Sequence, residues 1–78
     1  LRRYDEALAA HDRALALDAA YARGWSNRAG TLHAMGRHEE ALAAYQRALE
    51  LDPGYAEGWS NRGNTLRALR REAEALAS

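Results

Sequence analysis

The 78-residue chain is predicted to be all-α, built from antiparallel helix-turn-helix units stacked as a right-handed α-solenoid, and two observations carry that prediction. The first is composition: of the 37 apolar residues 19 are Ala and 11 are Leu, with no Val, Ile or Phe. Ala and Leu lead the helix scale, whereas pleated sheets draw on β-branched and aromatic side chains, so a sandwich or barrel is excluded. The second is an internal repeat: offset by 34 residues, the sequence matches itself at 26 of 44 aligned positions. Tyr21-Ala22-Arg23-Gly24-Trp25-Ser26-Asn27-Arg28 returns as Tyr55-Ala56-Glu57-Gly58-Trp59-Ser60-Asn61-Arg62, and Thr31-Leu32 returns as Thr65-Leu66. A period of this size marks a solenoid unit that buries its apolar face only by stacking on its neighbours.

Within the unit, Trp25, Ala29, Leu32 and Gly36 follow helical spacing, as do Ala41, Leu42, Tyr45, Ala48 and Leu49. Gly36-Arg37-His38 leaves room only for a tight turn, with Gly36 free to take the left-handed conformation that ends a helix. Asp52-Pro53-Gly54 ends the next one, because Pro53 cannot continue it and biases Asp52 away from helical angles. The pattern predicts helices at 3–17, 22–35, 38–51 and 56–69, and a short one at 72–78 after a second turn. One domain results, with 1–21 the second helix of a partial repeat, 22–55 a complete repeat and 56–78 a truncated one. About two and a third repeats fall short of the roughly three that bury a continuous core, so Leu8, Leu15, Leu66, Leu69 and Leu76 are expected to leave apolar surface open and to favour homo-oligomers through the terminal helices. The start at Leu1 suggests a piece of a longer chain, and Ala and Arg richness without Lys suggests a GC-rich bacterial genome.

The run from Trp25 through Arg28, Ala29, Leu32, Gly36, Ala41, Tyr45, Ala48, Leu49 and Leu51 to Asp52-Pro53 resembles the tetratricopeptide repeat. Departures are local: Arg28 and Arg62 stand for the usual Leu, Ala29 for the Gly that Gly63 retains, Ala19 for the terminal Pro, and Arg2 and Arg70 for the turn Gly. The resemblance implies a packing role for Trp25, Trp59, Leu32, Leu66, Ala41, Tyr45, Ala48, Leu49 and Pro53. It also implies a protein-protein interaction module whose concave groove, lined by first helices, holds an extended peptide or partner helix.

Charge and chemistry narrow the function classes. Eleven Arg and no Lys balance eleven acidic residues, so the net charge of zero draws the chain to neither nucleic acid nor anionic lipid. No apolar run is long enough to span a membrane and no signal peptide is recognisable, which makes the cytoplasm the default location. The absence of Cys excludes disulfides and thiolate metal sites. His11, His33 and His38 occupy different repeat positions and lack metal-ligand spacing, so no metal or cofactor is expected. Nucleophile and phosphate motifs are missing as well, and the chain reads as a non-enzyme.

Asn27 and Asn61 are the leading candidate binding residues. Each follows a packing Trp by two positions, off the apolar stripe, and an Asn amide offers both a donor and an acceptor to a peptide backbone. Bonding to a neighbouring helix or to water is the other reading of the same pair. The sequence is similar to the repeat arrays of O-linked N-acetylglucosamine transferases, where an Asn ladder at this repeat position holds substrate chains, which implies the same role for Asn27 and Asn61 and allows a substrate-recruiting arm of a larger enzyme. From the same register, Arg23, Ser26, Gly30 and His33 in one repeat and Glu57, Ser60, Asn64 and Arg67 in the next complete the expected groove. Asn61 and Asn64 also match positions of the carboxylate clamp that holds chaperone C-termini, but in the wrong repeats relative to each other and without its Lys residues.

Overall fold

A computed structural model describes residues 2–77 and contains four α-helices: α1 (Arg2–Leu17), α2 (Ala22–Ala34), α3 (His38–Leu51) and α4 (Ala56–Ala77). Consecutive helices pack antiparallel, α1 on α2, α2 on α3 and α3 on α4, as the short connections require. The result is an open slab of 44 × 32 × 14 Å whose accessible surface, 5360 Å², exceeds the ~4700 Å² of a compact chain of this mass. An all-α helical repeat is therefore what the sequence forms.

The core lies where α2 meets α3. Ala29, Leu32, Ala41, Ala44 and Tyr45 form one buried cluster, with Leu8 of α1 and Trp25 packed against it. Ala48, Leu49 and Leu15 are buried as well. Small residues dominate because the helices approach closely: a Cβ on Gly24 would sit 2.8 Å from the Tyr21 ring and 3.1 Å from Leu15, and Gly58 repeats this against Tyr55 and Leu49. Burial pushes the Tyr45 phenol above its ordinary pKa, with the nearby Tyr55 and Glu57 acting the same way. The folded chain then holds this proton more tightly than the unfolded one, so the stability it contributes is complete below about pH 10 and drains away as the pH rises through the folded value. Urea midpoints of Tyr45→Phe are expected to fall less than those of the parent between neutral pH and pH 11.

The connections between helices use a repeated device. Asp18 Oδ1 accepts the Ala20 N–H at 3.1 Å, and Asp52 Oδ1 accepts the Gly54 N–H at 3.2 Å, each closing a side-chain turn. The next Trp then donates across the loop, Trp25 Nε1 to the Ala19 carbonyl at 2.8 Å and Trp59 Nε1 to the Pro53 carbonyl at 2.9 Å. What these indoles need is a carbonyl, which explains why Ala19 serves where Pro53 stands in the next repeat.

One predicted turn does not form. The helix begun at Ala56 runs unbroken to Ala77, so the separate helix expected at 72–78 is corrected to a continuation of α4. Gly36 makes the α2–α3 turn at φ +81°, a conformation open to Gly at no steric cost. Its counterpart one repeat later is Arg70, for which left-handed backbone costs about 1–2 kcal/mol while continued helix costs nothing. Arg70 accordingly stays helical, with its Nε 3.2 Å from Glu74 Oε1, and His38 Nε2 meets Glu72 at 3.2 Å from α3. Gly36→Ala should lower stability by about 1 kcal/mol in chemical denaturation, through backbone strain alone, because nothing lies within 4 Å of the added Cβ.

The packing role that the resemblance implies is not filled at Trp59, which is 51% exposed, while Leu66 and Leu76, 41% and 90% exposed, leave apolar surface open as expected. Leu8 and Leu15, expected open with them, are instead packed, Leu8 against the central cluster and Leu15 at 7% exposure. The counterparts of Leu66 and Trp59 lie under α3: Leu32 is fully buried, and Trp25 borders Ala43, Ala44 and Glu40 of that helix. Among the described residues no helix covers the same face of α4.

Candidate functional site

α2 and α4 are the first helices of successive repeats, and each carries an Asn followed four residues later by a Thr. The Thr hydroxyl donates back to the Asn main-chain carbonyl, Thr31 to Asn27 at 3.3 Å and Thr65 to Asn61 at 3.1 Å. With its one proton committed, each hydroxyl oxygen accepts from a histidine: His11 Nε2 lies 3.2 Å from Thr31, and His33 Nδ1 lies 2.9 Å from Thr65. These bonds tie α1 to α2 and α2 to α4, which fixes the relative height of Asn27 and Asn61. The side-chain amides of both Asn make no hydrogen bond among the described residues, Asn27 being exposed and Asn61 half-buried.

The other predicted groove residues divide into two groups. Arg23 is exposed beside Asn27, and Asn64 and Arg67 are exposed on α4, where the Arg67 guanidinium donates to Asn64 Oδ1. His33, by contrast, is an internal strut: it bonds Thr65, and its ring lies 4.6 Å from that of His38. Sequence reasoning missed this bridging role because it depends on a contact across 32 residues. Ser26, expected in the groove from its register, is 5% exposed and lies inside. Gly30 keeps the floor between the helices low, since a Cβ there would meet only the Tyr45 hydroxyl, at 3.8 Å.

Electrostatically the face is mixed, with Arg23 and Arg67 against Glu57, all exposed. The stronger charge pairing lies elsewhere. Arg37 holds Glu40 through two hydrogen bonds of 2.8 and 2.5 Å and keeps its carboxyl below the usual range. Three clefts of about 260, 300 and 330 Å³ open on other parts of the surface, and neither Asn27 nor Asn61 lines any of them. Among the described residues no group of three His, Cys, Asp or Glu is placed to hold a metal ion, and no helix is long and apolar enough to cross a membrane.

Comparison with known families decides the class. The tetratricopeptide repeat pattern matches residues 22–55, and a second pattern of the same description matches residues 44–77. The chain belongs to the tetratricopeptide repeat family. Repeats of this family generally mediate protein-protein interaction and typically serve as non-enzymatic scaffolds. No curated protein matches the chain.

Proposed function

We propose that the face shared by α2 and α4 captures an extended segment of a partner protein, with the side-chain amides of Asn27 and Asn61 bonding its main chain. The observation that carries this reading is the pairing itself: two Asn at the same repeat position, each with its main-chain carbonyl bonded by a Thr hydroxyl, and with both side-chain amides making no hydrogen bond among the described residues. An amide can donate to a peptide C=O and accept from a peptide N–H, so the pair reads backbone geometry and tolerates many side chains. Selectivity comes from Arg23 and Glu57 on the same exposed face, whose opposite charges favour a peptide of complementary charge order. Asn64 and Arg67 satisfy one another and contribute less.

The test is binding of a random extended-peptide library by the parent chain and by an Asn27→Ala/Asn61→Ala double variant, with helicity followed by circular dichroism. The double variant is expected to stay helical and to lose about 1–3 kcal/mol, roughly 5- to 150-fold in affinity. Equal binding by the two proteins contradicts the proposal.

A further inference from the structure

Tyr45 belongs to α3, yet its hydroxyl reaches the other two helices of the Asn face. A Cβ built on Gly30 of α2 would meet that oxygen at 3.8 Å, and Glu57 of α4 is near enough to act on its proton. The residue as a whole is 3% exposed. Its hydroxyl nevertheless makes no hydrogen bond among the described residues, and it is not sealed in, because the one unpartnered side-chain polar atom enclosed there is His38 Nδ1. A buried ring thus carries an unspent hydroxyl to the surface.

The repeat shows why this group is left over. His11 holds the same repeat position on α1, and its Nε2 bonds Thr31 of α2. Shifted by 34 residues, that bond would join Tyr45 to Thr65. His33 of α2 takes the Thr65 oxygen instead, at 2.9 Å, while the Thr65 proton goes to the Asn61 carbonyl. Gly30 then leaves the Tyr45 hydroxyl uncovered on the α2 side; its own counterpart is Asn64, which carries a side chain at that position of α4. Gly30 also follows Asn27 by three residues, which makes the two neighbours on the helix surface about 4.5 Å apart along its axis.

We infer that Tyr45 is a further peptide-binding residue, its hydroxyl donating beside Gly30 to a main-chain carbonyl of the segment held by Asn27 and Asn61. The inference rests on the reading of that face as a peptide site. A residue without a Cβ lets a bound main chain lie close to the helix backbone, so the carbonyl comes within reach of a hydroxyl that does not itself project. Burial holds the phenol proton, which keeps the group a donor at neutral pH.

Tyr45→Phe tests this, because it removes the oxygen and keeps the ring. At neutral pH its helicity and urea midpoint are expected to match the parent's or rise slightly, since no bond inside the protein is lost. Its affinity for peptides taken from the extended library is expected to fall roughly 3- to 10-fold. The ratio should be similar for peptides of different sequence, as every one of them supplies the carbonyl. If the parent binds and Asn27→Ala/Asn61→Ala weakens binding while Tyr45→Phe does not, the inference is overturned and the Asn reading survives. A loss confined to peptides bearing one kind of side chain overturns the main-chain contact, and a loss accompanied by a lower urea midpoint marks the hydroxyl as structural and overturns it too. A parent chain that captures no peptide overturns both readings together.

Discussion

Leu32→Ala is expected to destabilise the protein more than any other single truncation of an aliphatic side chain, by about 3 kcal/mol within a range of 2–5. Leu32 is fully buried and belongs to the helix that Ala29 and Ala41 bring close to α3. Half of its cluster neighbours, Ala29, Ala41 and Ala44, are alanines, which have no flexible atoms with which to fill the space left behind. A chain of 78 residues has roughly 4–12 kcal/mol of total stability at 0.05–0.15 kcal/mol per residue. The substitution therefore removes a large part of it. The thermal midpoint should fall by more than about 10 °C, measured by circular dichroism at 222 nm, with helicity lost in one step.

Trp25→Ala and Trp59→Ala should differ, although the two tryptophans occupy nearly identical sequence surroundings. Trp25 packs against the central cluster and donates to the Ala19 carbonyl, so its truncation should cost about 3 kcal/mol through lost burial and an unmade hydrogen bond. Trp59 keeps the equivalent bond, to Pro53, but is half exposed, and its loss should cost about 1 kcal/mol. Denaturant titrations measure both values. Equal costs would contradict the asymmetry between the covered α2 and the uncovered α4.

The difference between the two tryptophans also shows how far the sequence could be read. Helix positions, the 34-residue period and the α2–α3 core follow from Ala and Leu spacing, because burial of an apolar stripe is a local, periodic signal. The straight α4 was encoded too, in Arg70 at the position where Gly36 turns, but a repeat-based reading gave the period precedence over backbone strain. Trp59 and Leu66 stay exposed on that straight helix. At the proposed binding face the Asn pair was legible from its recurrence. The Thr31 and Thr65 hydroxyls bond carbonyls four residues back in their own helices, whereas His11 and His33 as struts to them were not legible, since those bonds join residues 20 and 32 positions apart that meet only once the helices have stacked.

The central claim is that Asn27 and Asn61 hold a peptide backbone, and the chain's small amide inventory allows it to be observed directly. Asn27, Asn61 and Asn64 are its three asparagines, so the side-chain NH₂ resonances of a ¹⁵N-labelled sample can be assigned one by one through single substitutions. On titration with a peptide selected from the extended library, the Asn27 and Asn61 NH₂ signals are predicted to shift together with one dissociation constant, while Asn64 shifts less. Saturating peptide that leaves the Asn27 and Asn61 signals unmoved would contradict the account.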